Sequence, residues 1–162
     1  MDLSRRRIKR VRGGAYQVRL PPEERTLLGE LVPQLRDLLT ATTDDPSVRR
    51  LFPTAYNEDP ERDREYQALV RDELLERRLS ALDTVEETLG EDRLDEEQMG
   101  RWMGALNDLR LVIGTRLDVD ESLPRLDQDD PRAPAYAVYE YLGWLLDQVV
   151  SAMSEALPDV TE

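Results

Sequence analysis

With 162 residues, 40% hydrophobic and 35% charged, the chain has apolar surface for one folded domain and the charge density of long solvated helices. It contains no Cys and no His, which removes disulfides, thiol switching, imidazole bases and every zinc or iron site built on S or N ligands. Asp and Glu number 35, so carboxylate pairs and all-oxygen cation sites stay open in principle, yet no motif asks for one; no catalytic residue, metal or other cofactor is expected.

Charge is unevenly spread. Residues 1–20 hold seven cations against Asp2, which leaves +6, so the rest of the chain carries −19 of the net −13. Such an arm attracts phosphate while the body repels it. The basic start MDLSRRRIKR is followed by no apolar stretch of signal-peptide or membrane-span length, so a cytoplasmic protein with no membrane association is expected.

The elements follow in chain order. Residues 7–20 read as a β-hairpin around Gly13-Gly14; a two-residue turn pairs Arg12 with Ala15, Val11 with Tyr16 and Lys9 with Val18. One face can then dock on helices while the other is basic. Pro21-Pro22-Glu23-Glu24 opens a helix over 22–42, with Leu27, Leu28, Leu31, Val32, Leu35, Leu38 and Leu39 at helical spacing and Pro33 as a kink or break. Residues 43–61 hold three prolines and read as an ordered loop with a short turn at Ser47–Phe52, anchored by Phe52 and Tyr56. Helices are expected over 60–89, stopped by Gly90; over 95–118, opened by the capping-box spacing Asp95 to Gln98; and over 134–157. The economical architecture is mainly α, a single helical domain over 1–162 resembling a four-helix bundle with a short N-terminal hairpin.

Four arginines sit where helices two and three should be dry. Arg110 lies within the stripe Met99, Trp102, Met103, Leu106, Leu109, Ile113 and Leu117, and Arg116 lies at its edge. Arg78 lies among Leu74, Leu82, Val85 and Leu89, and Arg71 lies one heptad earlier. A guanidinium cannot shed its proton, so each needs a carboxylate, a carbonyl, an aromatic face or a ligand anion. An internal network with Asp72, Glu73, Asp108, Glu140 or Asp147 is the main expectation; an anion pocket and plain exposure are the alternatives.

Helix four has a dry stripe of Leu142, Leu145, Leu146, Val149, Val150, Met153 and Leu157, with Tyr136 and Trp144 on the opposite side. Tyr136, Glu140 and Trp144 could form a homodimer or partner interface, or be covered by the hairpin or the 43–61 loop. The patch Arg5, Arg6, Arg7, Lys9, Arg10 and Arg12 could hold phosphates, but direct nucleic-acid binding is disfavoured, since no helix presents a basic face and the body is acidic. DVDE at 118–121 and DQDD at 127–130 imitate the start of a calcium loop without its Gly and bidentate Glu, and read as a solvated acidic loop.

The segments LPPEERTLLGELVPQLRDLL, RLFPTAYNEDPE, DELLERRLSALDTVEETLG and LNDLRLVIGTRLDV resemble, in that order, an actinobacterial domain-of-unknown-function family, DUF2017, one branch of which comprises actinomycete oxidative-stress transcriptional regulators. The resemblance covers nearly the whole chain, with FPTAY followed by LRLVIGTRLDV its most specific part. It implies a cytoplasmic, non-enzymatic regulator that works by protein–protein contact with a sigma factor or RNA polymerase. The family's gene surroundings, which include a protease adaptor, imply an alternative role as an accessory factor of Clp-type proteolysis. Lacking Cys, this chain departs from any version of the family that senses oxidants through its own thiols.

Overall fold

A computed structural model describes residues 4–41, 46–52, 60–117 and 129–155. Two strands, β1 (Ile8–Val11) and β2 (Ala15–Val18), lead into helix α1 (Pro22–Thr40). A 3-10 turn over Pro46–Leu51 precedes α2 (Pro60–Thr88), a short strand β3 (Arg93–Asp95), α3 (Glu96–Arg116) and α4 (Ala133–Ser154). The fold is mainly α with a small antiparallel sheet in the order β1-β2-β3.

The hairpin register differs from the expected one by one residue. Ile8 pairs with Val18 and Val11 with Ala15, so Arg12, Gly13 and Gly14 form the connection. Both glycines have positive φ, 84° and 70°, which a side chain would make costly. A single-residue slip turns every side chain to the other face, and burial decides between the two registers. The two-residue turn would set Lys9 beside Val18 on the buried face; the observed pairing puts Ile8 beside Val18 in the core and Lys9 beside Gln17 outside.

The third strand is absent from the sequence reading. Leu94 pairs with Tyr16, and Val18 N donates to Asp92 O at 2.8 Å. Asp95 ends β3 and caps α3 as well: Gln98 N donates to Asp95 Oδ1 at 2.8 Å, and Asp95 N donates to the Gln98 side chain at 2.9 Å. The expected capping box is thus present, and it joins the sheet directly to the helix.

Helix α3 is the hub, packed against α2, α4, the 3-10 turn and the sheet. Trp102 is fully buried, and its indole donates to Thr88 Oγ1 at 2.8 Å, which locks α3 to the end of α2. On α1, Leu28, Val32, Leu35 and Leu39 are buried as the helical spacing requires, and the helix runs unbroken through Pro33. Arg36 on α1 bridges Asp83 and Glu86 of α2 at 2.9 and 2.7 Å. The dry side of α4 is rotated from expectation: Tyr141, Leu142, Leu145, Val149 and Ala152 are buried, while Val150 is 43% exposed. The rotation follows from α4 meeting two neighbours, β1 on one side and α3 on the other.

Leu28→Ala should lower stability by about 2–5 kcal/mol, because Leu28 is wholly buried between packed elements. Leu69→Ala, at a side chain 80% exposed on α2, should stay within about 0.5 kcal/mol. Urea unfolding of both variants checks the pair.

Candidate functional site

The basic arm divides in two. Arg7 turns inward and is 5% exposed; its Nε and Nη2 donate to the Glu24 carboxylate at 2.9–3.2 Å, and Glu24 is 1% exposed in the first turn of α1. Tyr141 of α4 donates its hydroxyl to Glu24 Oε1 at 2.8 Å. Burial, reinforced by this bond to Glu24, pushes the Tyr141 phenol far above its ordinary range, so it remains a donor. Arg7 Nη1 also donates to Arg5 O at 2.8 Å. Gln148 of α4 receives the backbone N–H groups of Arg7 and Ile8 on its side-chain oxygen. The hairpin, α1 and α4 are thereby joined at one buried charged node. Its carboxylate also lies in the first turn of a helix, where negative charge is favoured.

Sequence reasoning placed Arg7 with its neighbours in a surface patch and did not join Glu24 or Tyr141 to it. The one available signal was that Glu24 falls at the start of the apolar stripe of α1.

Trp144, for which either an interface or a cover by the hairpin or the 43–61 loop was expected, is half-buried: the Arg7 guanidinium stacks over its ring at 5.2 Å, and Tyr141 lies at 6.0 Å. The arm itself thus takes the face of the tryptophan that a dimer would have used. Tyr136 is half-buried against Tyr139 at 6.3 Å, and Glu140 is exposed. The three residues therefore do not form a continuous open patch.

Of the four arginines expected on dry helix faces, Arg78 and Arg110 are half-buried while Arg71 and Arg116 are exposed, and all but Arg110 gather around the 3-10 turn. Arg71 and Arg78 both stack on Phe52, at 4.9 and 5.7 Å. Arg78 donates to Leu51 O at 2.9 Å and forms an ion pair with the buried Asp108 of α3. Arg116 donates to Ser47 Oγ at 3.3 Å. Three arginines from two helices thus hold one short turn, and of the proposed acceptors Asp108 is the one engaged. Arg110 is the exception, because it meets an aromatic ring in place of the expected carboxylate. Its guanidinium stacks over Tyr139 at 5.1 Å, it runs close beside Gly143 on α4, and its buried Nε has no hydrogen-bond partner among the described residues. A stacked cation of this kind contributes about 0.5–2 kcal/mol, less than a buried ion pair loses when it is broken. Gly114 gives Tyr139 room: a Cβ there would stand 3.0 Å from the ring.

The outer part of the arm meets different partners. Arg6 bonds Glu155 at 2.8 Å across half-exposed surface, and Arg10 lies over Tyr16, whose hydroxyl donates to Glu96 at 2.6 Å. Lys9, Arg5 and Arg12 are exposed, and among the described residues none of them has a carboxylate partner. The segment 118–121, residues 127 and 128, Tyr56 and Leu157 lie outside the described residues; Asp130 pairs with Arg132 at 3.2 Å. Among the described residues no group of three or more candidate ligands could hold a metal ion, and no helix is long and apolar enough to cross a membrane.

Adjacent arginines should behave oppositely. Arg7→Ala should cost about 3–5 kcal/mol, since Glu24 is left charged in the core. Arg6→Ala should cost no more than about 1 kcal/mol, since its pair is half in water. Thermal or urea melts separate the two. Burial raises the Asp108 carboxyl above its ordinary value, against the opposing pull of Arg78, so the native state binds the Asp108 proton more tightly than the unfolded chain does. The ionised form is then the costly one. The stability of the natural protein relative to Asp108→Asn should fall as pH rises from below the usual Asp range through the raised native value, and should level off above it. Paired melts across that pH range check the slope.

Residues 5–153 match the family described as a domain of unknown function, DUF2017. The oxidative stress regulator AosR of Mycobacterium tuberculosis H37Rv is 32% identical over 124 residues, covering 65% of this chain and 57% of that protein, and the Mycobacterium bovis protein of the same name matches equally. A Mycobacterium leprae relative, provisionally given that name, is 30% identical over 128 residues, 68% of this chain and 59% of its own length. The chain thus spans less than three fifths of these curated relatives. No solved structure matches it significantly. With the family match running from the basic arm to the end of α4, the chain belongs to the DUF2017 family.

Proposed function

We propose that the chain is a non-enzymatic regulatory protein of the oxidative-stress response that acts through protein–protein contact with the transcription machinery, a sigma factor or RNA polymerase. The observation that carries the reading is the 32% identity, over most of this chain, to proteins named oxidative stress regulators. The disposition of charge supports it. The buried charged side chains described, Arg7, Glu24 and Asp108, spend their hydrogen bonds on partners within the fold. What remains for function is surface.

The chain has no Cys, so the oxidative signal reaches it from outside its own thiol chemistry, through a partner or through its abundance. The test is capture from stressed cells with the tagged full chain, followed by mass spectrometry. Polymerase subunits or a sigma factor should be enriched, and pretreating the purified chain with peroxide or with dithiothreitol should leave the yield unchanged. Enrichment of Clp components without polymerase would overturn the reading in favour of a proteolysis accessory. A yield abolished by mild peroxide and restored by dithiothreitol would overturn the thiol-independent input.

A further inference from the structure

We propose that the outer face of the three-stranded sheet is a docking surface for a short carboxylate-rich segment of a partner protein; this deepens the reading of the chain as a contact-based regulator and rests on it for its biological setting. Strand alternation puts Ile8, Tyr16, Val18 and Leu94 on the inner, buried face. It leaves Lys9, Gln17 and Arg93 in one cross-strand row on the outer face, with Arg19 on the same side two residues beyond Gln17. Arg5 borders a cleft of about 710 Å³ that Gln17 and Arg19 also line. Arg12 stands at the turn, where its carbonyl receives Arg93 Nη2 at 3.0 Å.

These five cations, Arg5, Lys9, Arg12, Arg19 and Arg93, are exposed, and none has a carboxylate partner among the described residues. That is unexpected in a chain whose acids outnumber its bases 35 to 22. Three acids that border the sheet are bound to arginines of the rim: Asp92 to Arg25 at 3.0 Å, Glu155 to Arg6 at 2.8 Å, and Glu96 to Arg10 at 3.8 Å. Asp95 of β3, on the outer face opposite Ala15, accepts the Gln98 N–H at 2.8 Å as the cap of α3. A concentrated positive field of this kind steers and selects an acidic partner.

The size of the field favours a peptide over nucleic acid. Strands of four, four and three residues extend roughly 10–13 Å at the usual rise per residue, enough for a few carboxylates. A duplex would run past the sheet over a body that carries −19, where repulsion offsets the gain. Arginine, which supplies four of the five cations, binds carboxylates through its two-pronged fork.

The experiment uses the full chain and a fluorescein-labelled peptide of alternating Glu and Asp with Ala spacers, followed by anisotropy at low and physiological ionic strength, with a labelled DNA duplex in parallel. The natural protein should bind the peptide more tightly than the duplex. The triple variant Lys9→Glu, Arg19→Glu, Arg93→Glu should lose at least about tenfold in peptide affinity, while Arg77→Glu on α2 should lose little. All three replaced side chains are exposed, so unchanged thermal melts confirm that the variant folds. Absence of peptide binding at low salt, equal loss in the Arg77→Glu variant, or tighter duplex binding with the same sensitivity would each overturn the proposal. Cell capture separates it from the functional reading. Polymerase retained by the triple variant sinks the docking surface alone, whereas peptide binding that maps to the sheet without any polymerase captured sinks the functional reading alone.

Discussion

The arrangement depends on a single buried charge pair. Arg7 and Glu24 have almost no access to water, and a carboxylate left there without its guanidinium would cost several kcal/mol. The pair is tolerated because its remaining valences are filled: Tyr141 donates a hydroxyl, Arg5 supplies a carbonyl, and the ring of Trp144 lies against the cation. These groups come from the arm, α1 and α4, so the geometry holds when all three elements are docked. A small sheet of eleven residues would have little stability alone. Here it is fixed through the charge at one end and through Asp95, shared with α3, at the other.

The arginines of this protein fall into physically different uses, although the sequence spells them alike. Arg7 neutralises a buried acid, Arg71 and Arg110 stand over aromatic rings, and Arg78 does both, pairing with Asp108 while standing over Phe52. Arg36 ties two helices across their exposed seam. A lysine could replace few of these, because stacking and forked hydrogen bonding both need the planar group. On the outer sheet face exposed cations stand without acids among the described residues, and there the chain has a charge opposite to that of its body.

Legibility in the sequence followed the range of the interactions. Helix starts at Pro22 and Asp95 are written in a few adjacent residues and appear where the sequence puts them, and the hairpin turns at its glycines, though through three residues and not two. The strand register was not legible, because two registers one residue apart satisfy the same local chemistry and only packing of Ile8 against the helices separates them. Strand β3, three residues long with one buried side chain, has no period to read. Arg78 could be assigned to the dry side of its helix, but the choice of Asp108 over other acids depended on how α2 crosses α3. Arg7 was the least legible. It sits among arginines of identical appearance, and its partner Glu24 takes a further bond from Tyr141, 117 positions away.

That separation sets an order on events during synthesis. The backbone of Arg7 is held by Gln148, 141 residues further along the chain, and Arg6 by Glu155, 149 residues further. The arm before β1 therefore gains these contacts only after α4 has been synthesised. Until then the pair of Arg7 and Glu24 lacks the Tyr141 hydroxyl and the Trp144 ring. Helices α1, α2 and α3 can associate beforehand through local and neighbouring contacts, with the N-terminus joining as the closing step. The basic arm thus reports on α4: a product truncated before α4 would lack the Tyr141, Gln148 and Glu155 contacts that hold the arm, and its arginines would be left loose.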